Sequence, residues 1–213
     1  MSNNNQNKVE QTGVHFKFEN SNYGYPKIIN IDVEPGVDTV KFDASDASVY
    51  GLFSISLSEC IKQFPDVKTL IIGKRAFDAE ISNFMFPNVK EVVSESPAFQ
   101  SGTLLIEKNR SSRYSRDFDG EKELLNTFCK TSDEVIDLSG IGSIDDYAFE
   151  GCRSKKIINM DELFMIDSMA FSGSAVFLSD TINEMQNDMC IIGNTLIRIN
   201  DNAGNIIFRT VLI

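Results

Sequence analysis

The sequence predicts an α/β solenoid in which short parallel strands stack in coils of about 22 residues behind an N-terminal β cap. Two internal matches predict this fold. Residues 64–77 (FPDVKTLIIGKRAF) match residues 86–99 (FPNVKEVVSESPAF) at six of fourteen positions. Residues 134–152 match residues 156–174 at the same offset. A fixed period of this size is typical of repeats that contribute one short strand each to a shared core.

The chain divides into a tail, a cap and a repeat region. Polar residues 1–8 predict a disordered tail, and residues 9–36 contain two strand-like runs, VHFKF and KIINIDV, that predict an N-terminal β cap. Residues 37–213 predict an irregular leucine-rich repeat solenoid with an insertion near 103–133. Within it, the apolar spacing of residues 54–64 (SISLSECIKQF) predicts a short convex helix.

The insertion interrupts the 22-residue rhythm. We expect a strand at TLLIEK, a polar loop, and a helix at EKELLNTFCK with one apolar face. The loop region is a candidate docking site for a phosphate or an acidic partner, because guanidinium groups bind such anions in pairs of hydrogen bonds. The alternative, which we favour, is a solvated loop neutralised by nearby carboxylates. The cations concerned are Lys108, Arg110, Arg113 and Arg116.

Alternation along the repeat strands predicts the candidate partner-binding side chains. In the first repeat, Ile136 and Leu138 are predicted to point inward, and in the second repeat Ile158 and Met160 repeat that choice. A shared interior is predicted for Ile144, Phe149, Ile166 and Phe171. The outward side chains are predicted to be Val135, Asp137, Ser139, Ile157, Asn159 and Asp161.

The first of these repeats carries a recognisable motif, I-x-x-I-x-x-x-A-F-x-G-C, which runs from Ile141 to Cys152. It resembles the unit of the BspA-like leucine-rich repeat proteins, although the second copy has Ser174 where cysteine is usual. The resemblance implies a binding scaffold without catalytic residues. It also suggests an alternative function, a cell-surface adhesin that binds host or matrix proteins.

Composition narrows the classes of partner. The chain has 213 residues, and 31 acidic against 20 basic side chains give a net charge of −11. An acidic field disfavours nucleic acids and anionic membranes, and no apolar run is long enough to span a bilayer. The N-terminus lacks a signal-peptide pattern. We therefore expect a cytoplasmic protein, or a cell-surface protein if a signal sequence has been removed.

The usual residues of catalysis and metal binding are sparse. The single histidine, His15, lies in the predicted cap with no motif around it, and the four cysteines form no C-x-x-C pair. We expect buried thiols, the alternative being two disulfides in an exported protein. The sequence thus predicts no enzyme, metal or cofactor. A hydrolase that uses Asp145 and Asp146 is a weaker alternative without a supporting motif.

The chain ends in an apolar run, Val211, Leu212 and Ile213. Such a strand would leave an open edge, so we expect it either to pack under the last coil or to pair with a second chain as a homodimer. A self-assembling structural protein is a further alternative. The predicted function is non-catalytic recognition of a protein partner of unknown identity by the concave face and flanking loops of the solenoid.

Overall fold

A computed structural model describes residues 11–21, 24–44, 51–108, 121–178, 189–192 and 195–199. It shows a β-solenoid of about five turns with coils of about 22 residues. The predicted solenoid architecture is therefore confirmed. The predicted tail, most of the polar loop after Lys108, and Val211–Ile213 lie outside the described residues.

The first half of the solenoid has seven strands in two sheets. The strands are β1 (Val14–Asn20), β2 (Pro26–Val33), β3 (Thr39–Phe42), β4 (Phe53–Leu57), β5 (Thr69–Ile72), β6 (Ala76–Ile81) and β7 (Glu91–Ser94). One sheet has the order β1-β2-β4-β6 and the other has the order β3-β5-β7. Apart from the antiparallel β1–β2 pair, all of these pairings are parallel, as the winding of equivalent coils requires.

The second half has shorter strands. They are β8 (Phe99–Gln100), β9 (Leu105–Glu107), β10 (Glu123–Asn126), β11 (Val135–Asp137), β12 (Ser143–Ile144), β13 (Lys156–Ile158) and β14 (Met165–Ile166), followed by helix α1 (Ala175–Leu178), β15 (Met189–Ile192) and β16 (Thr195–Ile199). The order of one sheet is β14-β12-β10-β9-β8, while β11 pairs with β13 and β15 pairs with β16.

At alternate positions along the strands, residues that pair across neighbouring strands have their side chains in the interior. Val40 of β3 pairs with Leu70 of β5, which pairs with Val92 of β7, and all three side chains are fully buried. Phenylalanine rings extend this core between the sheets, with Phe64 and Phe86 at a centroid distance of 5.8 Å. Burial of such apolar area is the main term that stabilises coils unable to bury it alone.

Residues before β3 cover two strand edges. Strand β1 covers β2 as an antiparallel partner. The side chain of Gln11 covers β3, because its Nε2 donates to the carbonyl of Thr39 at 2.7 Å and its Oε1 accepts from the N–H of Lys41 at 2.8 Å. A side-chain amide thus takes the place of a neighbouring strand and protects an edge that could otherwise pair with another chain.

A hairpin and a buried asparagine join the two halves. Strands β8 and β9 are antiparallel, and β9 pairs antiparallel with β10, so they interrupt the parallel stack between β7 and β12. The fully buried Asn126 donates from Nδ2 to the carbonyl of Ile81 at 2.7 Å and accepts from the N–H of Phe128 at 2.6 Å. The buried residues form two clusters, which meet at this joint.

The predicted shared interior of the second half is confirmed. Ile144, Phe149 and Phe171 belong to one buried cluster, against which Ile166 packs. The rings of Phe149 and Phe171 lie 4.5 Å apart between centroids. Such ring pairs add to the free energy of burial because their quadrupoles favour offset contact.

Two predicted helices are wrong. Residues 54–64 contain the end of strand β4 and a turn, and residues 121–130 contain β10. Leu124 is fully buried opposite Ile144 in the parallel pair of β10 and β12. Over so few residues, the apolar spacing fits both the helical period of 3.6 and the strand period of two. Pairing with neighbouring coils then favours the strand. Among the described residues the one helix is the four-residue α1, so the α/β part of the predicted class is not confirmed.

The predicted orientation of one strand also needs correction. Ile157, predicted to point outward, is buried, and Ile158, predicted to point inward, is 44% exposed. The cause is the register, since Ile136 pairs with Ile157 rather than with Ile158. Asn159 then adopts φ +58° and adds one residue to the turn, after which Met160 packs against the core as predicted.

Candidate functional site

The outward face of β11 and β13 carries three polar side chains that bind one another. We call Asp137, Ser139 and Asn159 the polar strip. Asn159 Nδ2 donates to Asp137 Oδ1 at 2.8 Å and to Ser139 Oγ at 2.9 Å. Ser139 donates to the same carboxylate oxygen from its N–H at 2.9 Å and from its hydroxyl at 2.7 Å. The predicted site residues of the two repeats are thus brought together, and all three are exposed.

These hydrogen bonds favour the charged form of the carboxylate. The hydroxyl of Ser139, followed by the amide of Asn159 and the N–H of Ser139, holds the pKa of Asp137 below its usual value. Asp137 therefore presents a fixed negative charge at neutral pH. Asn159, whose amide reaches Asp137 on the preceding coil, has φ +58°.

Two aliphatic side chains flank the polar strip. Val135 is 52% exposed and Ile158 is 44% exposed, and they occupy diagonal positions on the β11–β13 pair because Asp137 pairs with Ile158. Asp161 is exposed in the turn that follows. The face therefore combines two exposed aliphatic side chains with hydrogen-bonding groups of fixed orientation.

A second group of polar residues was missed in the sequence. One carboxylate oxygen from each of Glu123, Asp145 and Asp167 lies within 4.8 Å of the other two. Glu123 is 4% exposed and accepts from Ser143 Oγ at 3.3 Å. These oxygens are of the type that hard divalent cations prefer, and this trio is the set in the described residues that could hold one. The spacing of 22 residues between successive members was the available signal.

The adjacent aspartates of the hydrolase alternative have separate environments. Asp145 belongs to the carboxylate trio, whereas Asp146 is exposed and its Oδ1 accepts from the N–H of Met169 at 2.9 Å. A carboxylate that holds a turn in this way is occupied by a structural hydrogen bond.

Cys60, Cys129 and Cys152 are free thiols. Cys60 and Cys129 are half-buried and Cys152 is buried. Burial, with smaller contributions from Cys152 and Glu150, raises the pKa of Cys129 to about 11. Burial also raises the pKa of Cys152. Both thiols stay protonated at neutral pH, so they lack the thiolate that nucleophilic catalysis needs. The side chain of Cys190 lies outside the described residues.

The remaining predicted residues are peripheral or outside the described chain. Lys108 is half-buried at the end of β9, and its N–H donates to the carbonyl of Ala98. His15 is exposed on β1, with Nε2 3.7 Å from the carboxylate of Glu34, as expected for a cap-strand residue. The candidate docking cations Arg110, Arg113 and Arg116 lie outside the described residues.

Comparison with protein-family models, with curated proteins and with solved structures finds no match for this chain. The resemblance to BspA-like proteins therefore stays a prediction from the repeat motif. In the described residues, no helix has the length and apolar character needed to cross a membrane.

Proposed function

We propose that the chain is a non-catalytic protein-binding module of leucine-rich-repeat type, which recognises its partner with the outward face of β11 and β13. One observation carries this proposal. The polar strip is held in a fixed geometry by its own hydrogen bonds, directly beside the exposed side chains of Val135 and Ile158. Groups that are oriented before binding lose less conformational entropy on association.

The solenoid explains how such a face is presented. Strands β11 and β13 belong to neighbouring coils, and each presents two outward side chains at paired positions. The buried cluster beneath these strands fixes their backbone. Fully buried Ile136 and Leu138 anchor the first strand and its turn. Exposed side chains on a rigid backbone can serve as a recognition surface without moving parts. The high pKa of Cys129 and the structural hydrogen bond of Asp146 support a function without catalysis.

The test is affinity capture from a cell extract with matched surface variants. Val135→Ser and Ile158→Ser remove the apolar part of the proposed face and leave the buried core unchanged. Ile61→Ser is the control, because Ile61 is an aliphatic side chain that is 94% exposed on a loop after β4. We expect a defined set of proteins that the control retains and that both face variants lose. Capture of the same proteins by all three variants would overturn the proposal.

A further inference from the structure

Three large apolar side chains are exposed in turns that hydrogen bonds connect. We call Phe84, Tyr147 and Met169 the apolar row; they are 41%, 44% and 39% exposed. The three turns are connected, because Asn83 Nδ2 donates to the carbonyl of Tyr147 at 2.7 Å and the N–H of Tyr147 donates to the carbonyl of Met169 at 3.2 Å. Phe84 follows β6, and Tyr147 and Met169 follow β12 and β14, whereas the polar strip belongs to β11 and β13.

The joint between the two halves brings the first ring into this row. The Cε1 atom of Phe84 lies only 2.8 Å from the position that a Cβ on Gly151 would occupy. Gly151 also has φ +70°, so this position requires glycine both for its backbone conformation and because there is no room for a Cβ. The ring of Phe84 thus rests on the turn that presents Tyr147.

Tyr147 is held in an unfavourable backbone conformation. Its φ of +60° lies in a region that bulky L-residues rarely adopt, because the Cβ comes too close to the following carbonyl oxygen. The turn is nevertheless fixed, because the carbonyl of Tyr147 accepts from both Asn83 and the N–H of Glu150. A strained and exposed aromatic residue adds little to the core, and such outliers cluster at functional sites.

The surroundings of the apolar row are acidic. Asp146 is exposed next to Tyr147, and its carboxylate accepts from the N–H of Met169. Glu150 lies in the same turn as Tyr147. Asp145 and Asp167, two members of the carboxylate trio, precede the turns. One cation, Arg153, follows Gly151 in the sequence. The local charge has the same sign as the net charge of −11.

We infer that the apolar row binds a segment of another protein that carries both basic and apolar side chains. Aliphatic side chains of the segment would cover Phe84 and Met169. Lysine or arginine side chains would pair with Asp146 and Glu150, and would also stack on the exposed face of Tyr147, where cation–π attraction adds to the ion pairs. Charge complementarity decides against an acidic segment, which these carboxylates would repel.

The test uses synthetic peptides of defined composition and fluorescence anisotropy. The probe is a labelled peptide of alternating lysine and leucine, compared with glutamate–leucine and lysine–serine peptides of equal length. We expect the lysine–leucine peptide to bind at least about tenfold more tightly than either of the other two. Equal binding of the glutamate–leucine peptide would overturn the inference, because it would show that charge plays no part.

A variant separates the ring from the general negative charge of the chain. Tyr147→Gly removes the aromatic side chain, keeps the net charge, and suits the positive φ, so the variant is expected to fold at least as well as the parent chain. We expect it to weaken binding of the lysine–leucine peptide at least about tenfold. Unchanged binding by Tyr147→Gly would overturn the inference. Ile61→Ser is the control and should bind the peptide like the parent. Loss of peptide binding by Val135→Ser would place the peptide on the β11–β13 face and overturn the inference, so that failure of the proposed face is distinguished from failure of the apolar row.

Discussion

The two halves of the solenoid build the same coil by different means. Strands β2 to β7 have four to eight residues and pair over most of their length, whereas β10 to β14 have two to four. Among the described residues, every non-glycine residue with positive φ lies in the second half: Phe128, Cys129, Tyr147 and Asn159. In the first half the residues with positive φ are all glycines.

This difference shows how a coil can be specified with few backbone hydrogen bonds between strands. Where strands are long, the ladder itself fixes the register of one coil on the next. Where strands are short, the turns must have defined conformations and the stacked rings must hold the coils together. The second half therefore accepts strained turns, and both candidate surfaces lie mainly there.

The largest expected effect comes from the ring stack of the second half. Phe149→Ala removes a fully buried ring that contacts Phe171 at a centroid distance of 4.5 Å. We expect the free energy of unfolding to fall by about 3–5 kcal/mol. Because the chain contains no tryptophan, unfolding in urea is followed by circular dichroism.

Hydrogen exchange on the same variant tests the separation of the halves. If each coil depends mainly on its neighbours, exchange should rise in 123–178, while amides in β2 to β5 keep most of their protection. An equal rise throughout the described chain would contradict the comparison, because it would show that the two buried clusters unfold as one unit.

A smaller effect is expected at the turn glycines. Gly36, in the first half, has φ +85° and no atom within 4 Å of the position that an added Cβ would occupy, so Gly36→Ala should cost about 1–2 kcal/mol from φ alone. Gly151, in the second half, has φ +70°, and its Cβ would lie 2.8 Å from Cys129 Sγ and from Phe84 Cε1. We expect Gly151→Ala to cost more, by roughly 1–3 kcal/mol for the overpacking.

Urea unfolding of the two alanine variants in parallel measures this difference. The first substitution isolates the backbone term and the second adds the steric term. Equal losses of stability would show that the ring of Phe84 moves aside freely, and the turns of the two halves would then be equivalent.

The sequence predicted the second half better than its connection to the first. The match of two adjacent repeats predicts the period of the coils. It also predicts the burial of Ile136 and Leu138 and the shared interior of Phe149 and Phe171. Strand β10 was assigned to a helix because Leu124, with its apolar neighbours, fits either period over so short a run. Only the partners in β9 and β12 decide for strand, and those contacts are remote in sequence.

The candidate surfaces were predictable to different degrees. Asp137 and Asn159 were identified because they recur in adjacent repeats, although the one-residue shift that buries Ile157 required the actual register. The wrong helix concealed Glu123 as a member of the carboxylate trio. The apolar row could not be predicted, since Asn83 contacts Tyr147 and Phe84 contacts Gly151 across the insertion, without a periodic spacing.

The smallest expected effect concerns an ion-pair group that crosses the joint. Glu134, just before β11, accepts from Lys90, just before β7, at 3.2 Å, and its carboxylate lies 3.5 Å from the ammonium of Lys130. Burial opposes ionisation of Glu134, but the N–H and hydroxyl of Thr131 and the charge of Lys130 outweigh it and lower the pKa from 4.5 to about 2. The group thus links the two halves electrostatically.

The sign of the pH dependence follows from this lowered pKa. Ionised Glu134 stabilises the folded chain fully above the unfolded pKa, near pH 4.5, and this contribution is lost as the pH falls toward about 2. We expect Glu134→Gln to lower the free energy of unfolding by about 1 kcal/mol at pH 7, since Lys90 is largely exposed and screened. Urea unfolding of both proteins between neutral and acid pH should show the difference shrinking with acidity. A constant difference would mean that the amide loses packing or hydrogen bonds rather than charge, and that the halves are joined by Asn126 and the hairpin without an electrostatic contribution.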